Sequence, residues 1–166
     1  MIIEKPNGTH VDDRVAGCFC VEGKSVLVIQ RQRHKPFALH WAIPSGKLEH
    51  EETARECIVR ELREEIGLEV NPNDLKHLSC AIIDQDGSVF EYVSFVLHLK
   101  DRPQLTIKRD EVRKVEWVPL SQIKKRRVIP YFYNTIHNLL DWEKSEAFQL
   151  SLLPAPEAKS AKHRIS

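Results

Sequence analysis

The sequence predicts a mixed α/β fold, and three observations carry that expectation. Residues 14–32 and 78–99 hold β-branched, alternating runs broken by short turns. Residues 52–66 form one uninterrupted helical pattern between them, and residues 131–142 place apolar side chains at helical spacing behind Pro130. The order is strands, helix, strands, helix. With 166 residues, 42% of them hydrophobic and 30% charged, the chain can bury roughly two-thirds of its unfolded surface without metal or disulfide staples. One domain over 1–150 is expected. Residues 151–166 are expected to be a flexible tail, because PAPEAKSAKHRIS is short of large apolar side chains.

Each element has its own warrant. In 14–32, two runs flank Glu22-Gly23-Lys24, a tight turn that predicts an antiparallel hairpin. Pro36, Pro44 and Gly46 then break any helix across RQRHKPFALHWAIPSG, where His40-Trp41-Ala42-Ile43 offers at most one short strand. ETARECIVRELREEI lacks Gly and Pro, is rich in strong helix formers, and stops at Gly67, the residue most used to end a helix in the left-handed conformation. Strands at 78–83 and 89–99 meet through Asp84-Gln85-Asp86-Gly87, in which Asp-Gly is a hairpin signal. A last strand at 112–118 precedes the second helix.

Composition excludes several classes. Lys+Arg 25 against Asp+Glu 24 leaves a net charge of +1, which argues against a protein that coats nucleic acid. No run approaches the 18 or so apolar residues of a membrane span, and MIIEKPNGTHVDDR does not read as a signal peptide. Cys18, Cys20, Cys57 and Cys80 sit in apolar surroundings without a CxxC pair, so buried reduced thiols and a cytoplasmic setting are expected. The histidines lack HxxxH and HExxH ligand spacing.

The helix at 52–66 carries the chemistry. Glu61, Glu64 and Glu65 stand at i, i+3 and i+4 and so share a face, beside an apolar stripe of Ala54, Ile58, Leu62 and Ile66. Like charges this close repel unless something positive sits among them. Arg60 and Arg63 can serve as that partner on a solvated face, and so can a hard divalent cation such as Mg²⁺, which binds oxygen and commonly bridges carboxylates to substrate phosphates. A longer frame separates the two readings: Gly46, five residues, Glu52, seven residues, Arg60-Glu61-Leu62, one residue, Glu64-Glu65, one residue, Gly67-Leu68. At about 6% usage for each fixed residue, a chance match is on the order of 10⁻⁸.

With this frame the chain resembles the Nudix hydrolases, specifically over 46–68 and more loosely over about 15–140. The resemblance implies an α/β/α sandwich around a mixed sheet, with the box forming loop, helix and loop. It implies hydrolysis of a nucleoside diphosphate linked to another moiety, with Mg²⁺ (or Mn²⁺) and a water that attacks phosphorus. Glu61, Glu64 and Glu65 match the metal-binding glutamates, Gly46 matches the glycine whose carbonyl often completes the metal site, and Arg60 and Glu52 match the pair that braces the box. The base is expected to be Glu64, or Glu111 in the loop before RKVEWVPL.

Trp41-Ala42-Ile43-Pro44-Ser45-Gly46-Lys47-Leu48-Glu49 is similar to the lead-in of mutator-type members, which cleave nucleoside triphosphates to monophosphate and pyrophosphate. Ser45 replaces their usual first glycine, and the resemblance brings Glu49 near the box carboxylates as a candidate for the metal or substrate site. Arg31, Arg33, His34 and Lys35 are candidates for the terminal phosphates or else form a solvated basic turn, Lys47 is a candidate for the nucleotide, and Trp41 either stacks on a base or packs in the core as a strand-start tryptophan commonly does. The marker residues of ADP-ribose pyrophosphatases and dinucleoside polyphosphate hydrolases are absent from the positions expected of them, which leaves both as alternatives of lower standing. A catalytically dead binding module would typically lose box glutamates, and none is missing. An RNA 5′-end role would rest on Lys124-Lys125-Arg126-Arg127, a run without interleaved aromatics. The expected partner is a small nucleotide, without membrane or nucleic acid, in a monomer or a homodimer.

Overall fold

The computed structural model describes residues 2–3 and 11–151, with side chains from 11 to 147. Residues 152–166, on which most of the expected tail falls, lie outside the described residues. In chain order the elements are β1 (Ile2–Ile3), β2 (Asp13–Glu22), β3 (Ser25–Arg31), β4 (Trp41–Ala42), β5 (Ser45–Lys47), α1 (Ala54–Ile66), β6 (Lys76–Gln85), β7 (Ser88–Leu99), β8 (Val112–Pro119) and α2 (Phe132–Ser151). Single turns of 3₁₀-helix at Pro72–Asp74 and Leu120–Lys125 complete them.

The first hairpin forms at Gly23, whose φ of +55° suits a residue without Cβ. It pairs only at Val21↔Val26 and Glu22↔Ser25, and then its strands splay. β2 runs parallel to β7 from Asp13↔Phe90 to Glu22↔Leu99, while β3 runs antiparallel to β8. The short strands β4 and β5 enter the fork, β4 pairing with β3 and β5 with β2. The loop that contains Gly46 is thereby wedged into the middle of the sheet. The second hairpin matches expectation, since Asp86 and Gly87 both take positive φ (53° and 86°), as a tight turn between twisted strands requires.

α1 starts and stops where the sequence indicates. The Thr53 hydroxyl accepts from the Glu56 N–H while the Glu56 side chain accepts from the Thr53 N–H, and Gly67 closes the helix at φ +67°. Ile58, Leu62 and Ile66 are fully buried, each contributing about 1.5–3 kcal/mol of transfer free energy. The two helices cover opposite faces of the sheet. Arg55 of α1 lies over the Phe95 ring, whereas Phe132 of α2 meets Phe19 edge-on. Phe95 is registered with Cys18, the neighbour of Phe19, so the two rings point to opposite faces. The result is the expected α/β/α sandwich around a mixed sheet.

Two details differ from the sequence reading. α2 continues to Ser151, beyond the 131–142 segment with apolar spacing. Cys18, Cys20 and Cys57 are buried, but Cys80 is exposed, its thiol 3.4 Å from Glu91 Oε1. Its position on β6, near the margin of the sheet, decides this rather than the apolar character of its neighbours. Among the described residues, no helix is long and apolar enough to cross a membrane.

Candidate active site

Arg60 organises one wall of the site. Its Nε and Nη2 each donate to a separate oxygen of Glu52 at 2.9 Å, a fork that matches the carboxylate. Its Nη1 donates to Glu61 Oε1 at 2.6 Å and lies 3.5 Å from Glu64 Oε2. Nη2 also donates to the Lys47 carbonyl at 3.1 Å, tying the Gly46 loop to α1. The paired side chains are nearly enclosed, with Arg60 17%, Glu52 13% and Glu61 11% exposed. Arg60 holds the Glu52 carboxyl below its usual range by hydrogen bonding. In Glu61, burial outweighs the Arg60 hydrogen bond, and the pKa is raised.

The Gly46 backbone presses on this wall. A Cβ at Gly46 would overlap the Glu61 carboxylate, so the position requires glycine for close approach. The Gly46 carbonyl accepts a long bond from the Cys57 thiol at 3.5 Å. Burial pushes that thiol up to about 12, so it stays neutral. One residue earlier, the Ser45 N–H donates to Glu65 Oε2 at 3.2 Å. Glu65 is 6% exposed, and burial together with the charge of Glu61 pushes its pKa up to about 8.

Gly46, Glu61, Glu65 and Glu111 line one cleft of about 340 Å³, with Arg31, Lys35 and Lys47 on its rim. The Glu111 carboxylate accepts from Lys108 Nζ at 2.6 Å and lies 3.6 Å from Lys35 Nζ, and these lysines, Lys108 first, keep its pKa low. A second cavity of about 330 Å³ shares Arg31, Pro36, Ser45, Gly46 and Lys47 with the first and ends on Phe37, Phe90 and Tyr131. The two cavities therefore flank the same residues, with Lys35, Glu61, Glu65 and Glu111 bordering only the first and Phe37, Phe90 and Tyr131 only the second.

The remaining candidates are placed differently. Glu64 is the exposed member of the box, its Oε2 3.5 Å from the same Arg60 Nη1 that donates to Glu61. Glu49 is 71% exposed, 3.9 Å from Arg60 Nε, and faces an outer groove with Glu51 and Glu52. Arg33 is exposed in the 32–40 loop and lines neither cavity. Trp41 is 6% exposed in the core with Arg126 over its ring at 5.2 Å, so its indole is occupied by packing. Sequence reasoning missed Phe37, Phe90 and Tyr131 as lining groups, because these read as ordinary apolar positions and meet only across the fork. Among the described residues, no three acidic, His or Cys side chains already stand close enough to hold a metal ion. Glu61 Oε1 accepts from Arg60 and Glu111 Oε1 from Lys108.

Comparison with known proteins gives consistent findings. The NUDIX domain model matches residues 12–139. A Bacillus subtilis protein named as an uncharacterized Nudix hydrolase, YvcI, is 29% identical over 118 residues, covering 70% of this chain and 72% of that protein. A Proteus vulgaris 8-oxo-dGTP diphosphatase is 31% identical over 102 residues, covering 59% of this chain and 85% of its own length. Among solved structures, the NUDIX domain of Shewanella oneidensis NrtR, complexed with ADP ribose, superposes with a TM-score of 0.69 at 17% identity, covering 84% of this chain and 94% of that one. That last likeness is one of fold.

Proposed function

The chain belongs to the Nudix family of hydrolases, and from that premise we propose that it hydrolyses nucleoside triphosphates to monophosphate and pyrophosphate. One observation carries this reading: the carboxylate cleft and the aromatic pocket share Arg31, Gly46 and Lys47 as lining residues. A nucleoside triphosphate has the same sequence of parts, a flat base followed by a chain of anionic oxygens. Phe37, Phe90 and Tyr131 receive the base, since aromatic pockets suit a ring with polar edges. Arg31 and Lys47 hold phosphate oxygens through charge-assisted hydrogen bonds.

The donor set fits a hard divalent cation. Glu61, Glu65 and Glu111 offer only oxygen, face one cleft, and two of them are driven toward the neutral form by burial. The Gly46 carbonyl, Glu61, Glu64 and Glu65 would hold Mg²⁺ or Mn²⁺, with Glu111 facing the same cleft as a further ligand or the base. When bound, such an ion neutralises phosphate charge and polarises the bond to be broken. The chain's own residues fix the geometry. Arg60 and Glu52 brace Glu61, the Ser45 N–H orients Glu65, and a carboxylate, Glu64 or Glu111, takes the proton from the attacking water.

The test is product release with Mg²⁺ across dNTPs, oxidised dGTP, ADP-ribose, sugar nucleotides and dinucleoside polyphosphates, beside a Glu64→Gln variant. Pyrophosphate from a triphosphate is the expected result. The variant should lose activity by about 10²-fold or more while its stability stays within about 0.5 kcal/mol, because Glu64 is exposed. Turnover of ADP-ribose or a sugar nucleotide alone, without pyrophosphate, would replace the triphosphate reading.

A further inference from the structure

The three cations on the cleft are not equivalent. Lys47 Nζ is tied to Asp13 Oδ2 at 2.6 Å, and Arg31 Nε donates to the Pro36 carbonyl at 2.7 Å. Both residues border the aromatic pocket as well as the carboxylate cleft, whereas Lys35 borders the carboxylate cleft alone. Lys35 Nζ stands 3.6 Å from Glu111 Oε2, too far for a hydrogen bond, while Lys108 Nζ donates to Glu111 Oε1 at 2.6 Å. Releasing Lys35 therefore leaves Glu111 with its shorter partner.

The backbone that carries Lys35 is held on several sides. The Lys35 N–H donates to the Gln32 carbonyl and the Leu39 N–H to the Arg31 carbonyl, each at 3.2 Å. The Gln32 N–H donates to the Glu111 carbonyl at 3.3 Å, and Gln32 Nε2 donates to the Arg109 carbonyl. The loop keeps its place against the Glu111 segment, and a rotamer change suffices to carry the ammonium to a new anion.

A nucleotide with its base on Phe37, Phe90 and Tyr131, and its first phosphate over the shared Arg31 and Lys47, extends its outer groups toward Lys35. The geometry points to Lys35 as the specificity-determining residue that reads the terminal phosphate. It favours substrates whose group beyond the diphosphate is itself an ionised phosphate over those in which that group is a neutral sugar. An ammonium gains an ion pair and a charge-assisted hydrogen bond from a phosphate and nothing comparable from sugar hydroxyls, a difference of about 10- to 100-fold in affinity. This inference rests on the nucleotide reading of the cleft.

The test is equilibrium binding to the full chain with Mg²⁺, using the non-hydrolysable α,β-methylene analogues of a nucleoside triphosphate and of the diphosphate sugar of the same nucleoside. Lys35→Met should weaken the triphosphate by about 10- to 100-fold and the diphosphate sugar by less than about 3-fold, and Lys35→Arg should restore the triphosphate to within about 3-fold of wild type. Equal weakening of both ligands would mean that Lys35 only neutralises Glu111, and that result, or no weakening, overturns the proposal. Wild-type protein that binds neither ligand overturns it together with the nucleotide reading. The expected discrimination in binding, together with no pyrophosphate release from the corresponding unmodified triphosphate, overturns the hydrolase reading alone.

Discussion

Glu65→Gln should make the metal-free protein more stable than wild type near neutral pH, by an amount that grows as pH rises. Burial, with the charge of Glu61 added, raises the Glu65 pKa from an ordinary 4.5 to about 8. Between those values the folded protein keeps a proton that the unfolded chain has released. The stabilisation from that proton is complete below the unfolded value and is lost as pH rises through the folded one, at about 1.4 kcal/mol per pH unit. From about pH 5.5 to pH 7.5 the loss is about 2.5 kcal/mol, or about 5–10 °C in Tm for a domain of this size. Glutamine has no proton to lose, and its carbonyl oxygen can still accept from the Ser45 N–H, now 3.2 Å from Glu65 Oε2. The assay is thermal unfolding of both proteins in EDTA across this range, repeated with Mg²⁺. The Tm of wild type should fall toward the higher pH relative to the variant, and Mg²⁺ should raise wild type most at the higher pH. Parallel curves for the two proteins in EDTA would refute the reasoning, because they would place no extra proton on the buried carboxylate.

Two further substitutions probe the brace and the loop. Arg60→Met strands Glu52 and Glu61 as nearly enclosed carboxylates and should cost about 3–5 kcal/mol in urea unfolding. Arg60→Lys should recover only part of this, since one ammonium cannot reproduce the two parallel bonds to Glu52; a loss below about 1 kcal/mol in the methionine variant would contradict the brace. Gly46→Ala inserts a methyl into the space of the Glu61 carboxylate, so it should lower stability by about 1–3 kcal/mol and reduce turnover with it. Wild-type melting and turnover in that variant would show that the loop and Glu61 can separate freely.

Much of this protein was legible in its sequence because the relevant signals are local. Helix α1 follows from its uninterrupted helical pattern and Gly67, and the spacing from Gly46 to Leu68 by itself carries the family resemblance. The second hairpin followed from Asp86-Gly87. These features depend on residues within a turn or two of one another, where backbone sterics and side-chain periodicity act directly.

What the tertiary structure decided is long-range pairing and its consequences. Nothing in the run VAGCFCVE states that β2 lies parallel to β7, seventy-odd residues away, or that β2 and β3 splay to admit β4 and β5. That fork brings Gly46 against Glu61 and joins Phe37, Phe90 and Tyr131 into a pocket beside the carboxylates. It also settles Trp41 as a core residue and leaves Glu64 exposed beside the enclosed Glu61 and Glu65. A sequence pattern fixes which side chains share a helix face, but burial and approach depend on which distant strand closes the gap. Only the folded chain sets those distances, and with them the charge states of Glu61 and Glu65.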